Sequence, residues 1–166
     1  MTVDPKGFRD VMSHFASGVT VVTTLCEGVP HGLTVSAFSS VSLSPPRVLI
    51  CLGNDTDSKP LIDRSGSFAV HILGRDHVEL GPRFAKLIPG VDDPFVGMQY
   101  RSEVTGSPIL AECIAWLDCR VESAVAIGDH TIYIGDVRAA GRTEEDGEPV
   151  LYFRRAWRVL APSVVG

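Results

Sequence analysis

Residues 31–46 read His31-Gly32-Leu33-Thr34-Val35-Ser36-Ala37-Phe38-Ser39-Ser40-Val41-Ser42-Leu43-Ser44-Pro45-Pro46. The stretch is too rich in β-branched and hydroxyl residues for a helix and too apolar for a solvated loop. It reads as strand. Side chains alternate across a strand, so Thr34 and Ser36 share one side. Small hydroxyl residues leave the backbone reachable, and their oxygens donate or accept. A flat heteroaromatic ligand rimmed with carbonyls and ring nitrogens suits such a surface. An ordinary strand pair with polar edges accounts for the same residues equally well.

Working outward, Val19 to Leu25 forms the preceding strand, and Glu27-Gly28 turns it into an antiparallel hairpin with the central stretch. Upstream, Phe8, Val11, Met12 and Phe15 recur at helical spacing, predicting a short amphipathic helix closed by Gly18. Downstream, Pro45-Pro46 ends the hairpin unit. Val48 to Leu52 is a continuous apolar run, expected to be a strand buried on both faces. Ser58 reads as the N-cap of a short helix with Pro60 in its first turn and Gly66 at its end. Phe68 to Leu73 follows as strand, and His77 to Ala85 as a helix bent at Gly81-Pro82. Residues 86–112 read as a long surface excursion. Ile114 to Ser123 and His130 to Ala140 are two long strands joined at Ala126-Ile127-Gly128-Asp129. On the first, Asp118, Arg120 and Glu122 face away from Ala115, Leu117, Cys119 and Val121. Glu144 to Glu148 is an acidic loop, and Val150 to Phe153 with Trp157 to Leu160 complete the barrel.

About seven or eight strands stand against three short helices, none placed to recur as a crossover, which excludes a doubly wound sheet. The expected architecture is all-β dominated, a closed or split antiparallel β-barrel with a few short helices. With 166 residues the chain reads as one domain, its core over about 8–160. A net charge of −5 argues against a nucleic-acid or anionic-membrane surface. No apolar run reaches the roughly 18 residues of a spanning helix, and Met1 to Asp10 lacks an apolar signal core, so a cytoplasmic protein is expected. The four cysteines form no C-x-x-C and the five histidines no zinc spacing, so buried reduced thiols and no metal are expected.

Dinucleotide, P-loop, nucleophile-elbow and zincin motifs are missing, so any site must come from convergence of separate segments. Three segments are candidates. The first is Thr34 to Ser42. The second is Asn54 to Lys59, where a helix start headed by Ser58 and Lys59 could seat a phosphate or be a plain capped helix. The third is Gly128-Asp129-His130, a turn whose histidine opens a strand, or simply a surface histidine. Arg83-Phe84-Ala85 offers a cation and a ring, though helix packing explains it as well.

Taken together, these segments resemble the flavin reductase-like family, the short-chain NAD(P)H:flavin oxidoreductases that serve two-component monooxygenases. The resemblance is carried by Phe8-Arg9-Asp10-Val11-Met12, by Gly18 to Thr24, and by His31 to Ser42 closing at Pro45-Pro46. It continues in Ser67-Phe68-Ala69-Val70, Arg83-Phe84-Ala85, Gly106-Ser107-Pro108 and Gly128-Asp129-His130-Thr131. Each motif is weak alone; their order and spacing over roughly residues 8–160 are specific. The resemblance implies an FMN-binding split barrel, usually a homodimer with flavin near the subunit interface. It implies that Thr34, Val35, Ser36 and Ala37 line the isoalloxazine, and that Ser39 and Ser40 help hold the flavin tail. Asn54, Ser58 and Lys59 would follow the ribityl–phosphate path, and Arg83, Phe84 and Ala85 would border the phosphate or the adenine half of FAD. His130 matches a histidine associated with nicotinamide-nucleotide binding, with Asp129 holding its loop.

The chemistry so implied is hydride transfer from NADH or NADPH to FMN or FAD, with reduced flavin passed to a separate flavin-dependent monooxygenase. The cofactor carries the chemistry and the protein stacks the rings. Two other readings use the same residues: a flavoprotein that keeps its flavin and reduces another acceptor, and a non-enzymatic flavin carrier or sensor. Two departures from the family pattern are visible. His71 stands where Asn is frequent and is expected to be structural, and Arg47 stands where an apolar residue is commoner. Arg154-Arg155 could attract a 2′-phosphate or be a solvated strand end.

Overall fold

The computed structural model describes residues 3–143 and 147–161. Helix α1 (Pro5–Met12) is capped by Asp4, whose carboxylate accepts the amides of Lys6 (2.9 Å) and Gly7 (3.0 Å). It stops short of the expected Gly18. The Ser13 hydroxyl bonds back to Asp10 O (2.6 Å), the competition that makes serine a poor helix interior. Strand β1 (Ser17–Gly18) precedes β2 (Thr20–Cys26), which turns through Glu27 and Gly28 into β3 (Val29–Val35). Both turn residues have positive φ (53° and 79°), as a twist-matched two-residue hairpin requires. The predicted hairpin is therefore present.

After Ser36 and Ala37 come β4 (Phe38–Leu43), β5 (Pro46–Gly53), α2 (Lys59–Ser65) and β6 (Ser67–Ile72). A 3₁₀ turn (Arg75–His77) and α3 (Leu80–Phe84) replace the single bent helix expected from His77 to Ala85. Strands β7 (Tyr100–Ser102) and β8 (Pro108–Leu110) pair inside the supposed surface excursion. That excursion is not all surface: Phe95, Ser107, Ile109 and Leu110 are buried. The long strands β9 (Ala115–Ile127) and β10 (His130–Arg142) follow, then β11 (Val150–Phe153) and β12 (Ala156–Val159). Residues 144–146 of the expected acidic loop lie outside the described residues.

Seven strands form one antiparallel sheet in the order β3-β2-β6-β9-β10-β5-β4. Its two outermost strands, β3 and β4, are consecutive in the chain and separated only by Ser36 and Ala37. So short a link obliges the sheet to curl until its ends meet there, although they do not pair. That is a split barrel. Bulges bend it: β9–β10 shifts register at Ile134/Gly135 and Val137/Ala139, and β4–β5 at Ser40/Ser42. Gly135 sits at the first of these, where an added Cβ would meet the Phe68 ring at 2.6 Å. Strands β11 and β12 do not complete the barrel, as expected from sequence, but pair with β1 in a separate three-stranded sheet.

Core side chains fill both faces of β2 and β6. Val22, Ile50, Leu52, Phe68, Val70 and Tyr133 pack inside the curl. Val21, Leu73, Leu80, Phe84, Phe95 and Leu110 pack between its outer face and α3. Strand β5 departs from expectation: Val48, Ile50 and Leu52 are buried, whereas Leu49 and Cys51 are only partly covered, so just one face is sealed. Asp118, on the face of β9 opposite Leu117 and Cys119, is fully buried. It accepts the Thr105 amide (2.8 Å) and the Thr105 hydroxyl, so the 103–107 loop supplies the partners a buried carboxylate needs. His71 is structural, as read. It is fully buried, its Nδ1 bonds Val21 O (3.0 Å), and its Nε2 accepts the Leu110 amide (3.1 Å). Cys26, Cys113 and Cys119 are buried free thiols, and burial pushes the Cys119 thiol up to about 12.

Candidate active site

The β3–β4 crossing divides the predicted ligand-facing residues between two cavities. Thr34 lines a smaller one, about 330 Å³, with Asp55, Asp57, Ser58, Phe84 and Ala85. Ser36 and Ala37 line a larger one, about 770 Å³, with Lys6, Arg9, Tyr152 and Arg155. Val35 points into the core, 5% exposed, and its carbonyl accepts the Thr20 hydroxyl (2.6 Å). The Thr34 hydroxyl donates to Gly81 O (2.6 Å), which ties the strand to α3. Ser39 and Ser40 are exposed on edge strand β4, and the Ser39 hydroxyl reaches only Ser40 O (3.1 Å).

The loop between β5 and α2 connects the expected segments. Asn54 accepts the Thr131 hydroxyl at Oδ1 (2.7 Å), donates from Nδ2 to Gly128 O (3.3 Å), and donates its backbone amide to Asp129 O (2.9 Å). One end of this loop is thus fastened to the β9–β10 turn, and the other, Asp55 to Ser58, walls the Thr34 cavity. Within the turn, Gly128 takes φ 60°. His130 Nδ1 lies 2.7 Å from Asp129 Oδ1. A carboxylate only accepts, so Nδ1 carries the hydrogen and Nε2 is left without a partner among the described residues. The bond to His130 holds the Asp129 carboxyl below its ordinary range.

Several predicted roles meet a different local structure. Ser58 does precede α2, but its side chain makes no cap bond. Lys59 is paired with Asp63 (2.8 Å), which also accepts the Tyr133 hydroxyl (2.6 Å). Burial raises the Asp63 carboxyl, but these two hydrogen bonds outweigh it and hold the group low. The Arg83 guanidinium is occupied by the carbonyls of Pro94 (2.7 Å) and Val96. Phe84 is 1% exposed and packs edge-on against Phe95 (5.2 Å), with Gly32 kept side-chain-free beside it. Helix packing is therefore what Arg83 and Phe84 do here. Ala85 remains on the cavity wall. Arg47 is ion-paired with Glu122.

Sequence reasoning passed over Lys6 and Tyr152, named Arg9 within a matching motif without giving it a role, and left Arg155 undecided. A signal existed: two consecutive arginines occupy a two-residue turn, where both take positive φ (49° and 60°).

A flavin fits these surroundings. The larger cavity lies within the roughly 300–1,000 Å³ range of ligand pockets. Ser36 and Ala37 lie between the strand ladders, Met12, Phe15 and Tyr152 offer apolar wall, and Arg9 and Arg155 supply cations. A curled, unclosed antiparallel sheet with a hydroxyl-lined crossing between its free edges defines the split-barrel flavin-binding class. The particular family follows from comparison: residues 12–161 match the model of the flavin reductase like domain, and the chain belongs to that family. Over 159 residues it is 41% identical to a flavin reductase (NADH) of Kitasatospora aureofaciens, covering 93% of this chain and 81% of that one. It is 36% identical over 160 residues to the reductase subunit of a flavin-dependent monooxygenase from Rhodococcus jostii, covering 96% and 80%. Among solved structures, an NADH:FAD oxidoreductase of Streptomyces globisporus in complex with NAD and FAD fragments superposes with a TM-score of 0.87 at 35% identity, covering 99% of each chain.

Proposed function

We propose that the protein is an NAD(P)H:flavin oxidoreductase, with NADH preferred, that reduces FAD or FMN and releases it to a separate flavin-dependent monooxygenase. The observation that carries this reading is the Asn54 clamp. It joins the His130 turn to the loop that walls the Thr34 cavity, so the segments expected to hold two different nucleotides form one connected unit.

Thr34, Ser36 and Ala37 hold the flavin ring, with the Val35 backbone between them, while Ser39 and Ser40 on the exposed edge meet its tail. Ser58 and Ala85 bound the same path, with Lys59 and Arg83 behind it, held by their own partners. When bound, the flavin supplies the acceptor N5 that takes a hydride from C4 of the nicotinamide. His130 orients the nicotinamide nucleotide through its unpaired Nε2, and Asp129 fixes the ring's tautomer. Stacking the two rings at fixed spacing is the protein's contribution to rate, and exclusion of water follows from it. No proton needs moving by a strong acid or base.

The functional unit is a single domain acting as a cytoplasmic homodimer. Leu43 is 91% exposed, and Phe8, Val11 and Phe15 of the α1 segment are exposed as well, apolar side chains that a second copy would cover. Absorbance at 340 nm, with NADH or NADPH and FMN or FAD added in turn, tests the reading. Turnover that needs free flavin is expected, and His130→Ala should raise KM for NADH. A flat trace with every pair, despite measurable flavin binding, leaves a carrier rather than a reductase. Light scattering on the purified protein checks the dimer.

A further inference from the structure

The 770 Å³ cavity gathers three cations on its wall. In a chain of net charge −5, its lining includes Lys6, Arg9 and Arg155 and no carboxylate. Elsewhere cations are mostly spent: Arg47 on Glu122, Lys59 on Asp63, Arg64 on Glu27, Arg75 on Glu148, Lys86 on Asp57, Arg101 on Glu103 and Arg138 on Asp136. Arg83 is spent on backbone carbonyls. The side chains of Lys6, Arg9 and Arg155 have no ion-pair or hydrogen-bond partner among the described residues. Asp4, the acid nearest Lys6 in sequence, has its carboxylate turned to the helix amides. Arginines at unpaired, convergent positions present planar donors matched to phosphate oxygens.

Backbone geometry adds an independent observation. Arg154 and Arg155 form the two-residue turn between β11 and β12 with φ of 49° and 60°, a conformation suited to Asn or Gly and costly for arginine. The turn is anchored to the α1 end by Arg154 N–H on Ser13 O (2.8 Å). Strain of this sort persists where the surroundings use the side chain it presents.

We propose that this cavity is an anion site in which Arg9, Arg155 and Lys6 grip the phosphate or pyrophosphate of a nucleotide whose ring lies over Ser36 and Ala37. The nature of that ring rests on the flavin reductase reading; the anion site does not. The helix α2 region expected to take the phosphate has Lys59 and Lys86 neutralised by Asp63 and Asp57, so of the two cavities at the β3–β4 crossing it is the larger that is lined by unpaired cations.

The test uses the full chain and equilibrium binding, which requires no turnover. ADP-ribose carries the pyrophosphate without a redox ring, and riboflavin carries the ring without phosphate; FAD and FMN carry both. Arg9→Ala and Arg155→Gly should each weaken a phosphorylated ligand about tenfold or more and leave riboflavin unchanged. Weakening of ADP-ribose and NADH identifies the nicotinamide dinucleotide as the occupant; weakening of FAD and FMN instead identifies the flavin tail. Arg155→Gly should also raise Tm while it weakens binding, opposite to what a merely structural arginine would show. The proposal is overturned if riboflavin weakens as much as the phosphorylated ligands, or if none of these weakens. It is also overturned if Arg120→Ala, an exposed arginine outside the cavity, has the same effect. A protein that turns over no flavin yet loses ADP-ribose binding in these variants keeps the anion site and loses the reductase reading.

Discussion

Acid should destabilise this fold through one buried imidazole. Burial outweighs the His71 hydrogen bond to Val21 O and carries its pKa down from 6.5 to about 4. Both ring nitrogens are used in the neutral form, since Nε2 accepts from Leu110 and Nδ1 donates to Val21. Protonation would therefore break the Leu110 bond as well as charge the core. Below pH 6.5 the unfolded chain binds a proton at this residue that the folded chain refuses. The stability His71 contributes is thus complete above 6.5 and lost as pH falls toward 4. At about 1.4 kcal/mol per pH unit over roughly two and a half units, the loss approaches 3 kcal/mol. The assay is urea denaturation at half-unit steps from pH 7.5 to 4, on the wild type and on His71→Asn. Titrating carboxylates are common to both proteins and cancel in the difference. The wild type should lose stability relative to His71→Asn by about 2 kcal/mol between pH 6.5 and 5. Parallel curves over that interval would refute the reasoning, as would an imidazole NMR titration with a midpoint near 6.5.

Asn54→Ala should raise KM for NADH about tenfold, with a smaller effect on flavin affinity, because it frees the His130 turn and strands the buried Thr131 hydroxyl. Equal effects on both substrates in steady-state kinetics would show that Asn54 touches flavin instead. Gly135→Ala drives a Cβ to 2.6 Å from the Phe68 ring and 3.0 Å from Cys119 Cβ, so stability should fall by about 1–3 kcal/mol at unchanged m-value in urea. Asp118→Asn turns one acceptor of a fully buried group into a donor facing Thr105, and should cost about 1–3 kcal/mol in the same assay. A neutral result would place the Asp118 carboxylate in contact with water.

Local chemistry made much of this molecule readable in advance. Positive φ at Glu27 and Gly28, the left-handed Gly66 ending α2, and Gly128 opening the β9–β10 turn are all demands that a few adjacent residues satisfy. Such features show in a window of four to six residues because the energies that decide them are local. Burial is not local. Val48 to Leu52 was read as sealed on both faces because every residue in that run is apolar, yet which face is covered depends on what stacks over it. Alternation put Asp118 on the face opposite Leu117 and Cys119 and said nothing of what covers it; Thr105, from a loop thirteen residues upstream, gives its carboxylate partners. Residues 86–112 read as surface because of their many glycines and prolines, yet they carry the Leu110 amide to His71.

The site divides along the same line. By itself the sequence determined the hydroxyl-rich character of residues 31–46 and the Gly-Asp-His turn, since these depend on residue type; the break at Ser36 and Ala37 that makes the sheet curl lay inside what read as continuous strand. Only the tertiary structure decided which cations are available. A basic residue is charged wherever it lies, but its capacity to hold a phosphate depends on whether a carboxylate has already claimed it. Lys59 and Arg83 were claimed, and Arg9 and Arg155 were not.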